Sequence, residues 1–297
     1  MYHRSVLLKE SVDGLAIRPD GIYVDATFGG GGHSREILAR LTTGSLFAFD
    51  QDEDALANKP EDSRFTLITN NFRFIRNFLK LYRAVPVDGI LADLGISSHQ
   101  IDTPERGFSI RFEGRLDLRM DRRKSRSARD VVNTYPEDRL ALVFKEFGEI
   151  RHASKAAALI VRHRKNKSIE TTEELKAVLQ SCAEKGKENK FFAQVFQALR
   201  IEVNQETEAL REFLLQGQDL LKPGGRMVII SYHSIEDKLV KNFFRSGNFT
   251  GEVGKDFYGN PQAPFKTINR KAIVPDDQEI EANPRARSAR LRIAEKL

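Results

Sequence analysis

The 297-residue chain has a single cysteine, Cys182, which excludes an intrachain disulfide and any zinc site built on paired thiolates. Its six histidines, at 3, 33, 99, 152, 163 and 233, are scattered and form no HExxH-type pair, so no metal centre is expected. No apolar run approaches the length that spans a bilayer. Lys9, Glu10 and Asp13 break the apolar residues between Met1 and Gly14, which leaves no signal-peptide core. A cytoplasmic protein without a membrane partner is expected. What is present is 40% hydrophobic and 30% charged residues, enough to bury the core of one large or two ordinary domains.

The net charge of +6 is unevenly spread. Between Pro104 and Val195 there are 21 Lys and Arg against 14 Asp and Glu, whereas the rest of the chain has 27 against 28. An excess of this kind suits a polyanion such as nucleic acid, and an ordinary solvated helical surface has similar counts.

Alternating apolar runs and helical stretches organise both ends of the chain. Gly21 to Ala26, Ser45 to Asp50, Arg64 to Ile68, Val87 to Asp93 and Arg226 to Tyr232 read as strands, and Leu221-Lys222-Pro223-Gly224-Gly225 as a helix stop. This pattern predicts a doubly wound α/β sheet. From Thr134 the periodicity is helical. Pro136 and Gly148 bound one helix, and Ala153 to His163 form another. Thr171-Thr172-Glu173-Glu174 is a capping box ahead of Leu175, Val178, Leu179 and Cys182, which places Cys182 in the core. The stripe Phe192, Val195, Phe196, Leu199 and Val203 is expected to re-enter the sheet domain.

Four glycines, Gly29 to Gly32, stand between the first strand and a helix. Glycine loops at this position serve nucleoside triphosphates, dinucleotides or S-adenosylmethionine. A P-loop needs lysine after its last glycine, and here Gly32 precedes His33; the dinucleotide pattern meets Ser34 where its third glycine belongs. Asp25, Asp50 and Asp93 each end a strand and would share the carboxyl edge of the sheet. Asp50 suits a ribose diol, whose two hydroxyls both donate to a carboxylate.

Asp25-Ala26-Thr27-Phe28-Gly29 running on to Ser34, Asp93-Leu94-Gly95-Ile96-Ser97-Ser98-His99-Gln100, Arg106-Gly107-Phe108-Ser109, Leu116-Asp117-Leu118-Arg119-Met120-Asp121, Phe196-Gln197-Ala198-Leu199-Arg200-Ile201, Ser231-Tyr232-His233-Ser234-Ile235-Glu236-Asp237 and Asn283-Pro284-Arg285-Ala286-Arg287-Ser288 follow one another along the chain. Together they resemble the signature blocks of the bacterial 16S ribosomal RNA (cytosine-N4)-methyltransferases, the ribosomal RNA small subunit methyltransferase H family. The resemblance implies a Rossmann-like class I methyltransferase sheet, residues 1–103 and 196–297, interrupted by a mainly helical insertion, 104–195, that helps recognise RNA. It also implies S-adenosyl-L-methionine as cofactor, held by Gly31, Gly32, His33, Asp50, Phe72, Asp93 and Gln100, and 16S ribosomal RNA of the small subunit as partner. In that setting Phe72 would lie along the adenine.

Methyl transfer from a sulfonium needs alignment and exclusion of water, not a metal. The cytosine N4 is a weak nucleophile because its lone pair is shared with the ring. An oxygen that accepts its hydrogens draws that pair out of conjugation, which points to the segment from Asp93 through Ser97 and Ser98. Many amino-methyltransferases have Asn/Asp-Pro-Pro-Tyr/Phe at this strand end, and the chain has Asp93-Leu94-Gly95-Ile96; Phe108 or His233 would then stack on the base. His99 stands where the family block has proline. RNA phosphates would meet Arg111, Arg115, Arg119, Arg122, Arg123, Lys124 and Arg126 in the insertion and Arg285, Arg287 and Arg290 near the C-terminus. Against this, Glu113, Asp117 and Asp121 could neutralise the first group. A non-catalytic RNA-binding assembly factor and a methyltransferase for a non-RNA substrate are the alternatives, and either a monomer or a homodimer is compatible with the sequence.

Overall fold

The computed structural model describes residues 5–259 and 261–297. Residues 1–4, including His3 and the start of the expected first segment, lie outside the described residues. The chain forms two compact units, one running to Gly95 and resuming at Thr207, the other spanning Ile96–Glu206.

The first unit opens with α1 (Leu8–Gly14), β1 (Ile22–Asp25), α2 (Gly32–Arg40), β2 (Ser45–Phe49), β3 (Phe65–Ile68), α3 (Ile75–Leu81) and β4 (Val87–Asp93). The second contains α4 (Ser98–Asp102), α5 (Ala128–Thr134), α6 (Glu137–Gly148), α7 (Ala153–Arg164), α8 (Thr172–Leu179) and α9 (Glu188–Asn204). Then α10 (Glu206–Leu220), β5 (Leu221–Ser231), α11 (Ser234–Ser246), β6 (Phe265–Thr267) and β7 (Arg290–Lys296) complete the first.

The seven-stranded sheet has the order β3-β2-β1-β4-β5-β7-β6. Its first five strands are parallel, and β7 runs antiparallel to both β5 and β6. Side chains alternate across the strands, so Val24, Ile90, Ala92, Met227 and Ile229 pack on one face with Leu79 of α3, Phe213 of α10 and Phe243 of α11. Tyr23, Leu91, Val228 and Ile230 pack on the other with Val12 of α1 and Ile37 of α2. Helices on both faces make this the expected doubly wound α/β sheet. The helix stop also holds: α10 ends at Leu220, and Gly224 takes a left-handed φ of 77° before the register of β5 resumes at Arg226.

Three readings are corrected. The second unit begins at Ile96 and ends at Glu206, not at 104 and 195. The reason lies in α9: Phe192, Val195, Phe196, Leu199 and Val203 all pack into the core of the second unit with Leu140, Phe144 and Ile160, so the stripe does not re-enter the sheet domain. Cys182 lies beyond the end of α8 in a 3₁₀ turn, Gln180–Cys182, and is only half-buried at the margin of that core. Within the observed bounds the second unit has 22 Lys and Arg against 17 Asp and Glu, so most of the positive excess stays in it.

The closing strands were not foreseen. Arg290-Leu291-Arg292-Ile293 alternates charge with apolar residues, and β7 turns Arg292 inward, where its Nε and Nη2 donate to Asp237 Oδ1 and Oδ2 at 2.6 and 3.1 Å. This two-pronged pair ties α11 to the sheet, with both side chains nearly enclosed. Removing one partner of such a pair leaves a charge without compensation. Asp237→Ala is therefore expected to cost about 3–5 kcal/mol in urea unfolding; a loss below about 1 kcal/mol would mean that the Arg292 head reaches water.

Candidate active site

The glycine loop is pinned at its base by backbone bonds from Ala26 N to Leu91 O at 2.8 Å and from Phe28 N to Phe49 O at 2.9 Å. Gly29 and Gly31 then adopt left-handed φ angles of 50° and 76°, and Gly31 directly precedes α2. A Cβ on Gly31 would come within 2.9 Å of the Phe28 ring, and one on Gly32 within 2.0 Å of Ser5 Oγ. Glycine at 31 and 32 thus has an internal reason. At Gly30 a Cβ would meet nothing within 4 Å, which makes Gly30 the open point of the loop.

Three carboxylates stand beside it at the carboxyl ends of neighbouring strands. Asp25 accepts from Thr27 N at 3.1 Å and from Ser34 Oγ at 2.6 Å. Asp50 accepts from Gly29 N at 2.8 Å through Oδ2 and from Asp52 N at 2.9 Å through Oδ1. Asp93 accepts the Tyr232 hydroxyl on Oδ1 at 2.7 Å, while its own N–H donates to Thr27 Oγ1 at 2.6 Å. Burial raises all three pKa values to about 6, against the pull of these hydrogen bonds. The charge of Asp25 adds to the rise at both Asp50 and Asp93.

His33 and Tyr232 complete the arrangement. His33 is buried, with Nε2 3.2 Å from Val6 O, so that carbonyl sets the proton on Nε2 and leaves Nδ1 4.0 Å from Asp93 Oδ2. Burial lowers the imidazole pKa despite the neighbouring carboxylate, which favours the neutral ring. Tyr232 is the residue sequence reasoning missed as a site member. Burial and Asp93 push its pKa well above the usual value, so it stays a hydroxyl donor. The signal was available: Tyr232 follows β5 as directly as Asp50 follows β2.

The remaining predicted residues are placed as follows. Phe72 lies half-buried in a 3₁₀ turn, edge-on to Phe213 at 5.0 Å between ring centroids. His233 caps α11, with Nδ1 accepting from Glu236 N at 3.5 Å and Nε2 3.1 Å from Glu236 Oε1; only 8% of its side chain is exposed. That enclosure, and the burial of Phe108 in the second unit's core beside Arg106, correct the expectation that either ring offers a face to a base. In the second unit, Ser97 caps α4 and forms a capping box with Gln100, whose Oε1 accepts from Ser97 N at 3.1 Å. Ser98 is the first residue of α4, and His99 is accommodated in its first turn.

Several basic candidates have partners within the protein, Arg119 half-buried and Arg123 and Arg126 exposed. Arg119 forms a two-pronged pair with Asp117 at 2.6 and 2.8 Å and donates to Lys124 O. Arg123 pairs with Asp121 at 2.8 Å, and Arg126 donates to Tyr135 Oη at 2.9 Å. Lys124 is half-buried, whereas Arg111, Arg115 and Arg122 are exposed. In the first unit, Arg285 and Arg287 are exposed on a 3₁₀ turn, Pro284–Ser288, and Arg290 reaches Asp237 Oδ2 at 3.5 Å.

The family profile described as the MraW methylase family matches residues 1–297. The chain belongs to the MraW methylase family. Two curated relatives, from Flavobacterium johnsoniae and Cytophaga hutchinsonii, are each 59% identical to it; both are named ribosomal RNA small subunit methyltransferase H. The first comparison covers 100% of this chain and 98% of the relative, the second 100% of both. An rRNA methylase structure from Streptococcus thermophilus aligns over 100% of this chain and 99% of its own, with 15% identity and a TM-score of 0.45. Among the described residues of this MraW-family chain, no helix is long and apolar enough to cross a membrane.

The buried carboxylates have a consequence for stability. A carboxyl group whose pKa rises from 3.8 to about 6 on folding binds its proton more tightly when folded, so its contribution to stability falls as pH climbs between those values. In Asp93→Asn the amide oxygen still accepts from Tyr232 and the amide N–H turns toward the bare Nδ1 of His33. The thermal midpoint of this variant is expected to exceed wild type at pH 7.5 and to converge with it near pH 4.5. No gain at pH 7.5, or the same gain at both pH values, would contradict the burial of that charge.

Proposed function

We propose that the chain transfers a methyl group from S-adenosylmethionine to the exocyclic N4 of a cytidine in the 16S ribosomal RNA of the small subunit, in its decoding region. The observation that carries this reading is the carboxyl edge of β1, β2 and β4, where Asp50 stands beside the open face of Gly30. The names of the relatives supply the RNA, and the residue blocks from Asp25 to Ser288 supply the N4 chemistry.

The residues present fit the cofactor. Each Asp50 oxygen uses one lone pair on a backbone N–H and keeps another for a ribose hydroxyl. Gly30 lets a ligand approach the backbone without meeting a side chain. Gly31, Gly32, His33 and Phe72 belong to the same loop and strand ends in sequence, and the family resemblance adds Gln100. When bound, the sulfonium supplies an electrophilic methyl carbon.

Asp93 is the acceptor for an N4 hydrogen. Tyr232 holds its Oδ1 and fixes its orientation, which leaves Oδ2 for the base. The neutral His33 ring adds no positive charge that would compete for that oxygen. Ser97 and Ser98 continue the same strand end into α4, and His233 acts as the cap of α11 that holds the segment following Tyr232. The second unit recognises RNA through Arg111, Arg115 and Arg122, for which no acidic partner is seen among the described residues, with Arg119, Arg123, Lys124 and Arg126 beside them in a loop that Arg119 helps to shape. Arg285, Arg287 and Arg290 offer further phosphate contacts.

Transfer of tritium from labelled S-adenosylmethionine into isolated small subunits tests the reading, with the labelled nucleoside identified after digestion. Label is expected in N4-methylcytidine, and Asp50→Ala is expected to weaken cofactor binding by about 10- to 100-fold through two lost charged hydrogen bonds. Label in no RNA, or in another base, would overturn the proposal.

A further inference from the structure

Away from the three carboxylates, α11, the end of β6 and β7 enclose a recess of about 260 Å³. Lys241, Arg245, Arg270 and Arg292 line it, over a floor formed by the buried Phe244 and Ile293. One of these four cations is already neutralised, since Arg292 is held by Asp237. Lys241, Arg245 and Arg270 are exposed, and among the described residues no carboxylate lies within ion-pairing distance of them.

Such a grouping costs stability when nothing answers it. Lys241 and Arg245 sit one turn apart on the same face of α11, a spacing at which like charges repel. Asp237, one turn before Lys241 and so the acid best placed to relieve it, is turned to Arg292 and Arg290. The dipole at the C-terminal end of α11 accounts for Arg245 in the last turn, but not for Lys241 or Arg270. The wall bearing Arg270 is also held in place. Asn269 donates to Leu291 O at 2.9 Å and accepts from Ile293 N at 2.7 Å, so its neighbour projects from a fixed backbone.

We propose that this recess binds phosphodiester groups of the RNA backbone through Lys241, Arg245 and Arg270, as a phosphate contact contributed by the sheet unit itself. The inference rests on the reading that RNA is the substrate. Three cations on two sides of one groove suit a polyanionic strand, and flexible lysine and forked arginine heads tolerate any base sequence. The contact therefore adds affinity and register, not base specificity.

The test is the salt dependence of small-subunit binding and methylation for wild type, the triple variant Lys241→Ala/Arg245→Ala/Arg270→Ala, and a control of equal charge loss, Lys9→Ala/Lys59→Ala/Lys80→Ala. The recess variant is expected to bind about tenfold more weakly at low salt, with the slope of log Kd against log salt reduced by about 2, while the control stays near wild type. Equal slopes in recess variant and wild type, or equal losses in recess variant and control, would overturn the proposal. A titration with pyrophosphate supplies a second arm. A thermal midpoint that rises saturably in wild type and not in the recess variant, with RNA binding unaffected by the substitutions, would assign the recess to a free anion instead and overturn the RNA contact. If wild type labels no RNA at all, the enzymatic reading fails; if it labels RNA and the recess variant matches it throughout, only the recess fails.

Discussion

Everything at this edge of the sheet depends on holding Asp25, which is buried, beside the partly exposed Asp50 and Asp93 at the ends of β1, β2 and β4. The reversal of strand order between β1 and β4 creates the place, and the glycine loop fills it with backbone N–H groups instead of side chains. Asp25 accepts from Thr27 N and the Ser34 hydroxyl and Asp50 from Gly29 N, whereas Asp93 accepts from the Tyr232 hydroxyl that follows β5. The support is incomplete, which is why all three pKa values stand near 6 and not below 4. On the proposed reading, the acceptors left open are those that ligand hydroxyl and amino donors would complete.

The second unit solves a different problem, that of presenting positive charge without losing its own fold. Arg106 is buried and donates to Arg119 O and Met120 O at 3.1 Å, and Asn204 bridges Leu118 O and Met120 N at 2.8 Å. These bonds hold the basic loop from Leu118 to Arg126 as a shaped surface. Three of its five cations, Arg119, Arg123 and Arg126, already have partners within the protein, which separates a count of charges from a count of available charges.

How much of this was legible in the sequence follows from the type of signal. The parallel strands end in apolar runs such as Tyr23-Val24, Leu46 to Phe49 and Ile90 to Ala92, and each strand-end aspartate stands out because a charge closes such a run. The capping box at Thr171 was read correctly for the same reason: its bonding pattern is local. What required the structure is long-range. Arg292 looks like surface until β7 places it on Asp237, 55 residues away. The stripe of α9 fits the core of either unit until the packing decides. Tyr232 becomes a site residue only because β4 and β5 are neighbours, which brings its hydroxyl to Asp93 across 139 residues. Glycine, finally, has several distinct causes; Gly31 and Gly32 answer to φ and to Ser5, and Gly30 alone to open space.

On the proposed function, Asp50 is left short of donors so that a ligand diol can complete its shell. Carbon-13 NMR titration of labelled aspartate carboxyls, with Asp50→Asn used for assignment, reads this directly. Without cofactor the Asp50 carboxyl is expected to titrate near pH 6, and with S-adenosylmethionine its pKa is expected to fall, because hydroxyl donors favour the charged form. An Asp50 carboxyl that titrates near 4 in the free protein, or one unmoved by the cofactor, would contradict it.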